Sequence, residues 1–324
     1  MSGENTNPVR LTTFNVQFDG PAATTTKKIY ANGKMQVRVQ VILSAVDGNG
    51  RPAIMSAKIF NNVRLINYKT GEILSDGWRA DERPNKYAQA LYGVSAEGEG
   101  VNPDPYTRIR SFWVSSAVVT DIQIAAAVIF NDKLIRSNNT TVRAKFDSSV
   151  SVEAEVPVVY EISKFRLDSV VNHPVPDCTL THFYLSLNVD GRQLRLVSWS
   201  EKIAAEQGIV SATLKVFDAH GYYLKSDYWW RSVCFIAGVN DKEIPVVLTP
   251  EQDSNRYRTY YVPVNDRKGA LSIVQGVSLE FTNDTYNKRE TFYFTAFDVY
   301  GTGHDLCLRF DNSVLPGAFF LEKA

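Results

Sequence analysis

The thiols and imidazoles, the side chains best suited to soft-metal and much nucleophilic chemistry, are few and lie on one side of the chain. All three cysteines (Cys178, Cys234, Cys307) and all four histidines (His173, His182, His220, His304) come after residue 172. The first half thus lacks the thiol and imidazole groups on which soft-metal binding and most nucleophilic catalysis depend. In the second half, His173, Cys178 and His182 fall within ten residues, and His304-Asp-Leu-Cys307 forms another group. A zinc site wants three or four converging ligands, usually drawn from short paired knuckles. Neither group supplies such a pair. The expectation is buried thiols and hydrogen-bonded imidazoles, with no metal site and no cofactor.

Other chemistries fall in turn. There is no Gly-x-Ser-x-Gly elbow, no Cys–His signature and no glycine-rich phosphate loop. Glu97, Glu99 and Asp104 sit in a Gly- and Pro-rich stretch, where a solvated acidic loop is the reading rather than a glycosidase pair on rigid strand ends. Asp47-Gly-Asn-Gly50 lacks the bidentate Glu and spaced acids of a calcium loop, and reads as a turn. The chain is expected not to be an enzyme; an unrecognised site would draw its base from His182, His220 or His304.

What remains is aromatic surface. Ser75 to Tyr106 is a mostly polar stretch holding Trp78, Arg79, Tyr87, Tyr92 and Tyr106. A connection of that length in a β domain is usually functional or disordered. Tyr228-Trp229-Trp230-Arg231 follows Tyr222 and Tyr223. Neighbours on a strand point to opposite faces, so Trp229 and Trp230 cannot both be core if the segment is extended. Trp78, Arg79, Tyr87, Tyr92, Tyr106, Tyr228, Trp229 and Trp230 are therefore the candidate binding residues, since Trp, Tyr and Arg compose hot spots and sugar-stacking platforms. Inter-domain packing would draw on the same residues.

The elements that must hold these residues show a period of two. Met35 to Val41, Val150 to Val156 and Thr291 to Val299 alternate or are β-favouring throughout. Turn signals separate such runs: Asp47 to Gly50, Lys69-Thr-Gly71, Asn131-Asp132, Asp190-Gly191 and Ala219-His-Gly221. Asp190-Gly191 makes the clearest hairpin. Only Pro84 to Tyr92 and Glu201 to Gln207 hint at helix, as short turns. At 324 residues the chain suggests two domains. The fold expected is all-β: two tandem antiparallel β-sandwiches, of jelly-roll or immunoglobulin type, spanning residues 1–157 and 158–324. Val158 to Asp168 resembles the opening Val9 to Asp19, as related tandem domains would, or as any two edge-entering strands would.

Charge narrows the partners. Lys and Arg total 35, as do Asp and Glu, and neither half is strongly basic, which gives no nucleic-acid surface. The longest apolar run, ending at Phe130, is far short of the ~20 residues of a spanning helix. The first residues, Met1 to Pro8, lack the charged and apolar regions of a secretory signal, so synthesis in the cytoplasm is expected, with release by lysis or a signal-less route. Together these point to a non-enzymatic structural or attachment protein. It would self-associate or join other protein subunits in an assembly such as a phage-like or tail-like particle. The alternative is a signal-less effector with a glycan or membrane receptor, either a glycan-binding module or a β pore-forming toxin using Ser111 to Phe130 as a membrane hairpin.

Overall fold

A computed structural model describes residues 7–19, 24–88, 104–141, 146–175, 178–202, 214–223, 228–248, 258–280, 291–310 and 318–324. The chain divides into two compact units, Met1–Val158 and Val159–Ala324, and almost every regular element in both is a strand. We propose each unit as a folding domain.

In the first unit the strands are β1 (Arg10–Phe18), β2 (Thr26–Tyr30), β3 (Val37–Val46), β4 (Pro52–Ala53), β5 (Arg64–Asn67), β6 (Trp78–Asp81), β7 (Arg108–Ser116), β8 (Asp121–Phe130), β9 (Lys133–Arg136) and β10 (Val150–Glu155). One sheet runs β1-β3-β7-β6 with β4 beside β3; the other runs β2-β10-β8-β5 with β9 beside β8. The sequence alternation becomes burial: every odd residue of β3 and every even residue of β10 is buried. Those faces meet where β1 packs on β8 and β10, and β2 on β7, so the unit is a sandwich. One helix, α1 (Ala57–Asn61), is capped by the Ser56 hydroxyl accepting from the Ile59 amide.

At Val16 the free edge of β1 is capped by a hydroxyl. Ser148 Oγ accepts from the Val16 amide at 2.8 Å and donates to the Val16 carbonyl at 3.2 Å. Ser148 is itself held by Ser137, whose hydroxyl donates to the Ser148 carbonyl at 2.9 Å. This occupies backbone groups to which another strand would otherwise add. Ser148→Ala is expected to lower the unfolding free energy by about 1–2 kcal/mol, read from the urea midpoint. An unchanged midpoint would mean that water replaces the hydroxyl in full.

The second unit has β11 (Phe165–Val175), β12 (Cys178–Val189), β13 (Arg192–Leu194), β14 (Leu196–Glu201), β15 (Leu214–Tyr223), β16 (Tyr228–Ile236), β17 (Glu243–Leu248), β18 (Arg258–Pro263), β19 (Leu271–Glu280), β20 (Thr291–Asp298), β21 (Gly303–Phe310) and β22 (Phe319–Lys323). Its central sheet runs β11-β12-β19-β16-β15, with β13 beside β12; a second runs β14-β20-β21-β22, and β17 pairs with β18 alone. One face of the central sheet buries Leu185, Leu187, Cys234, Ile236 and Ile273 against Trp199, Phe292, Phe294, Leu306 and Leu308 of the second sheet. The other face buries Leu180, Val233 and Val274 under Ile244, Val246, Leu248 and Val262 of the β17–β18 ribbon. The central sheet is thus covered on both sides. Asp190 and Gly191, both at positive φ, turn β12 into β13 as expected.

Several local expectations are corrected. Ala219-His-Gly221 is not a turn: it lies inside β15, paired with Ser232, Arg231 and Trp230, because the β16 ladder outweighs a local turn composition. The stretch from Ser75 is not all loop, since Trp78–Asp81 forms an edge strand on β7. Pro84 to Ala88, the described part of the first helical candidate, is not helical; the Asn85 side chain accepts from the Tyr87 amide and fixes a turn instead. The second candidate is not overturned: Glu201 ends β14, Lys202 is helical, and residues 203–207 lie outside the described residues. Val158 to Asp168 becomes strand only from Phe165, after a 3-10 turn at Ile162–Lys164. β2 and β10 pair in parallel, a departure from a purely antiparallel plan.

Candidate functional site

The aromatic surface expected in the first unit separates into unlike positions. Trp78 lies opposite Ser116 in the ladder and is 6% exposed, so it is a wall of the sandwich rather than a free platform. Arg79 points away from the core and pairs with Asp81 at 2.7 Å. Tyr87 follows on a loop stitched down by Asn85: its amide donates to Gln36 Oε1 at 2.8 Å, and Gln36 donates to Asp81 at 3.1 Å. Lys86 sits 5.5 Å from the Tyr87 ring centroid. Burial holds the Lys86 ammonium below the usual lysine range, and Lys34 adds to the effect. Tyr106 is 40% exposed but belongs to the other end of β7, roughly 30 Å from Trp78 at the rise of a strand. Tyr92 lies outside the described residues.

Beside Trp78 an open depression of about 210 Å³ forms between the 67–78 segment and the turn from β7 to β8. Trp78, Ile73 and Ile122 give it apolar surface, and Asn67, Asp76, Thr120 and Asp121 are among its polar groups. Its walls are set by close packing. Gly77 has φ +88°, and a Cβ there would stand 2.7 Å from Val118 Cγ1. The Gly77 carbonyl accepts from the Ala117 amide at 2.9 Å. Asp76 holds a left-handed conformation that Asp tolerates better than most residues. Asn67, Thr120 and Asp121 carry no signal in the sequence, because only sheet topology brings them beside Trp78.

In the second unit the predicted aromatic segment is extended, as β16. Tyr223 pairs with Tyr228, Tyr222 with Trp229 and Gly221 with Trp230, so five aromatic positions occupy consecutive rungs at one end of the β15–β16 hairpin. The side chains of all five, Tyr222, Tyr223, Tyr228, Trp229 and Trp230, lie outside the described residues.

The two imidazoles whose side chains are described, His304 and His182, belong to hydrogen-bonded networks, and those of His173 and His220 lie outside the described residues. His304 accepts from the Tyr160 amide at Nδ1 (3.4 Å), which leaves its Nε2–H toward Asp298 Oδ2, also at 3.4 Å. Both side chains are buried, and Asp298 Oδ1 is taken by the Tyr300 and Thr302 amides. His182 stacks on Tyr184 with centroids 4.1 Å apart. The Tyr184 hydroxyl donates to Asp266 at 2.9 Å and lies 3.1 Å from His182 Nδ1; the Arg267 guanidinium stands 3.7 Å from the Tyr184 centroid. Burial is the main force lowering the His182 pKa, Arg267 adds to it, and Asp266 opposes it. Burial also raises the Cys234 and Cys307 thiols, which makes them poor nucleophiles. Among the described residues no three His, Cys, Asp or Glu side chains converge as a metal site.

The His182 shift sets a pH dependence. Its folded pKa lies below the ordinary imidazole range, so the unfolded chain takes up this proton first as pH falls. The contribution is complete above the unfolded pKa and is lost as pH drops from there toward the folded pKa. His182→Gln is expected to flatten the stability-versus-pH curve between about pH 5 and 7. An unaltered slope in urea melts across that range would reject the assignment.

No family model matches the chain, and no curated protein matches it. Among solved structures it aligns with the C-terminal domain (wild type) of the AgI/II polypeptide BspA of Streptococcus agalactiae, at 10% identity, over 96% of this chain and 99% of that one. The TM-score is 0.21, too low for the likeness to carry an argument.

Proposed function

We propose that the chain is a non-catalytic protein that acts through its surface, as a structural or attachment subunit of a larger assembly such as a phage-like or tail-like particle. The observation that carries this reading is the β15–β16 hairpin, where Tyr222, Tyr223, Tyr228, Trp229 and Trp230 share consecutive rungs. Interfaces draw their anchors from these residue types. Exposed apolar side chains support it: Ile129 stands opposite Leu134 across β8 and β9, and Tyr293 and Phe320 are exposed on the sheet that contains β20 and β22. The pore-forming alternative has a cost. β7 and β8 belong to different sheets, so making one hairpin of Ser111 to Phe130 would dismantle both.

Light scattering across a wide concentration range, with negative-stain images of the same samples, tests the proposal. A defined oligomer, ring or tube is expected in buffer alone, and Trp229→Ser with Trp230→Ser is expected to shift it to monomer. A monomer at every concentration, or assembly only on adding lipid, would overturn the reading.

A further inference from the structure

The depression beside Trp78 has a donor and acceptor pattern that selects among ligand classes. Asn67 Oδ1 accepts from the Lys69 and Thr70 amides, which fixes the orientation of the side-chain amide and leaves its NH2 as a donor. The Asp121 carboxylate and the Thr120 hydroxyl have no hydrogen-bond partner among the described residues, although both line the depression. Asp76 accepts from the Ser75 hydroxyl through Oδ2 alone, so Oδ1 remains an acceptor. Residues that carry free donors and acceptors therefore line the same small space, together with Trp78 and the exposed Ile73.

We propose that this depression is a binding subsite for a neutral sugar ring. An anionic ligand would meet two carboxylates and no basic side chain in the lining. A bare metal ion would want oxygen ligands closing on one point, whereas the lining mixes an amide NH2, an indole and isoleucine side chains with its carboxylates. A polyol meets both halves of the pattern. Each hydroxyl of a sugar donates and accepts, and its C–H groups rest on the exposed side chain of Ile73. The size agrees as well: about 210 Å³ holds roughly seven waters, the space of one six-membered ring with its hydroxyls. The wall at Gly77 is held in place, because its backbone packs close to Val118 and its carbonyl accepts from the Ala117 amide. Less ordering is then left for the binding step.

The second depression, of about 270 Å³ in the other unit, lacks this character. There the Thr295 hydroxyl donates to Asp305 at 2.7 Å and Lys323 pairs with Glu161 at 3.0 Å, so the polar groups are committed to one another.

The test is calorimetric titration of the 324-residue chain with D-galactose, D-mannose, N-acetyl-D-glucosamine and L-fucose, with glucosamine as a cationic control. At least one neutral sugar is expected to bind with millimolar affinity, the scale for a single ring in an open site. The affinity is expected to hold when the salt concentration is raised, since the ligand carries no charge. Asp121→Asn keeps the size of an exposed side chain at the start of β8 and is expected to weaken binding about tenfold. Asn67→Leu is a second probe, checked for folding by circular dichroism. Absence of binding by all four neutral sugars would overturn the proposal. So would binding by glucosamine alone that fades with salt, or equal affinity in Asp121→Asn. The proposal is independent of the assembly reading, because neither the sugar site nor its variants touch the β15–β16 hairpin.

Discussion

Gly276→Val is expected to detach the β17–β18 ribbon and to lower the unfolding free energy by about 3 kcal/mol, the upper range for overpacking a tight core. Gly276 lies in β19 between Leu180 of β12 and Val233 of β16, on the face that the ribbon covers. Without a side chain it leaves a dimple, and the ribbon fills it. A Cβ at this position would stand 2.8 Å from both Leu248 Cδ2 and Val246 Cγ1. Those two side chains are fully buried and have no room to retreat. A two-stranded ribbon has marginal stability alone, so β17 and β18 persist through burying Ile244, Val246, Leu248 and Val262. Each such side chain is worth about 1.5–3 kcal/mol against water, before ordering costs. Hydrogen exchange should show protection lost in β17 and β18 while β20 and β21 keep theirs. Gly276→Ala with Leu248→Ala should cost less than the sum of the two single changes, since each makes room for the other. Additive costs, or loss of protection throughout the unit, would reject this picture of the ribbon.

How much of this was legible depends on the range of the forces involved. β3 and β10 were readable because alternation over six or more residues sets which face meets the core, and β20 because its residues are aromatic and β-favouring throughout. The Asp190-Gly191 hairpin was readable because both residues must take positive φ, which few residue types do cheaply. β6 was not, since a four-residue edge strand needs a partner and not a pattern. α1 was missed for a similar reason: five residues and a Ser56 cap leave no helical period to detect. Arg110 shows the limit most sharply. It pairs with Val41 on the core face of the first unit, where alternation would demand an apolar residue. Its guanidinium escapes by donating to the Phe60 carbonyl at 2.6 Å and to Glu82 at 2.6 Å, while packing over the Phe60 and Phe112 rings. No local rule anticipates a cation satisfied from two other elements.

The candidate site divides in the same way. Trp78 could be singled out by residue type, but its burial and its neighbours could not. Asp121 and Thr120 are more than forty residues away in sequence and reach it only because β6 joins the far end of β7. Residue type named the anchor, and topology supplied the hydrogen-bonding groups around it. The same holds for Trp229 and Trp230, whose composition drew notice but whose pairing with Tyr222 and Gly221 depended on reading residues 219–221 as strand.

The second large effect is expected at Asp298. Its carboxylate looks like half of a catalytic dyad with His304, yet its bonds are those of a turn. Oδ1 accepts from the Tyr300 amide at 2.9 Å and the Thr302 amide at 3.0 Å, and Oδ2 faces His304 Nε2 at 3.4 Å. These contacts shape the tight connection from β20 to β21, in which the Asp298 amide also donates to the Thr302 carbonyl at 3.1 Å. Asp298→Ala would leave two amides and an imidazole N–H without acceptors in a site closed to water. At about 1–3 kcal/mol for each buried group left unpaired, the loss should reach about 3–4 kcal/mol. Asp298→Asn keeps an oxygen for the two amides but turns an NH2 toward His304, whose other nitrogen is already held by Tyr160. Its cost should be smaller, about 1–2 kcal/mol. Urea melts of both variants read this order directly. If Asn proves as damaging as Ala, the His304 contact and not the turn carries the stability. If both are silent, the carboxylate has been given a structural role it does not hold, and His304 with Asp298 must be re-examined as a reactive pair.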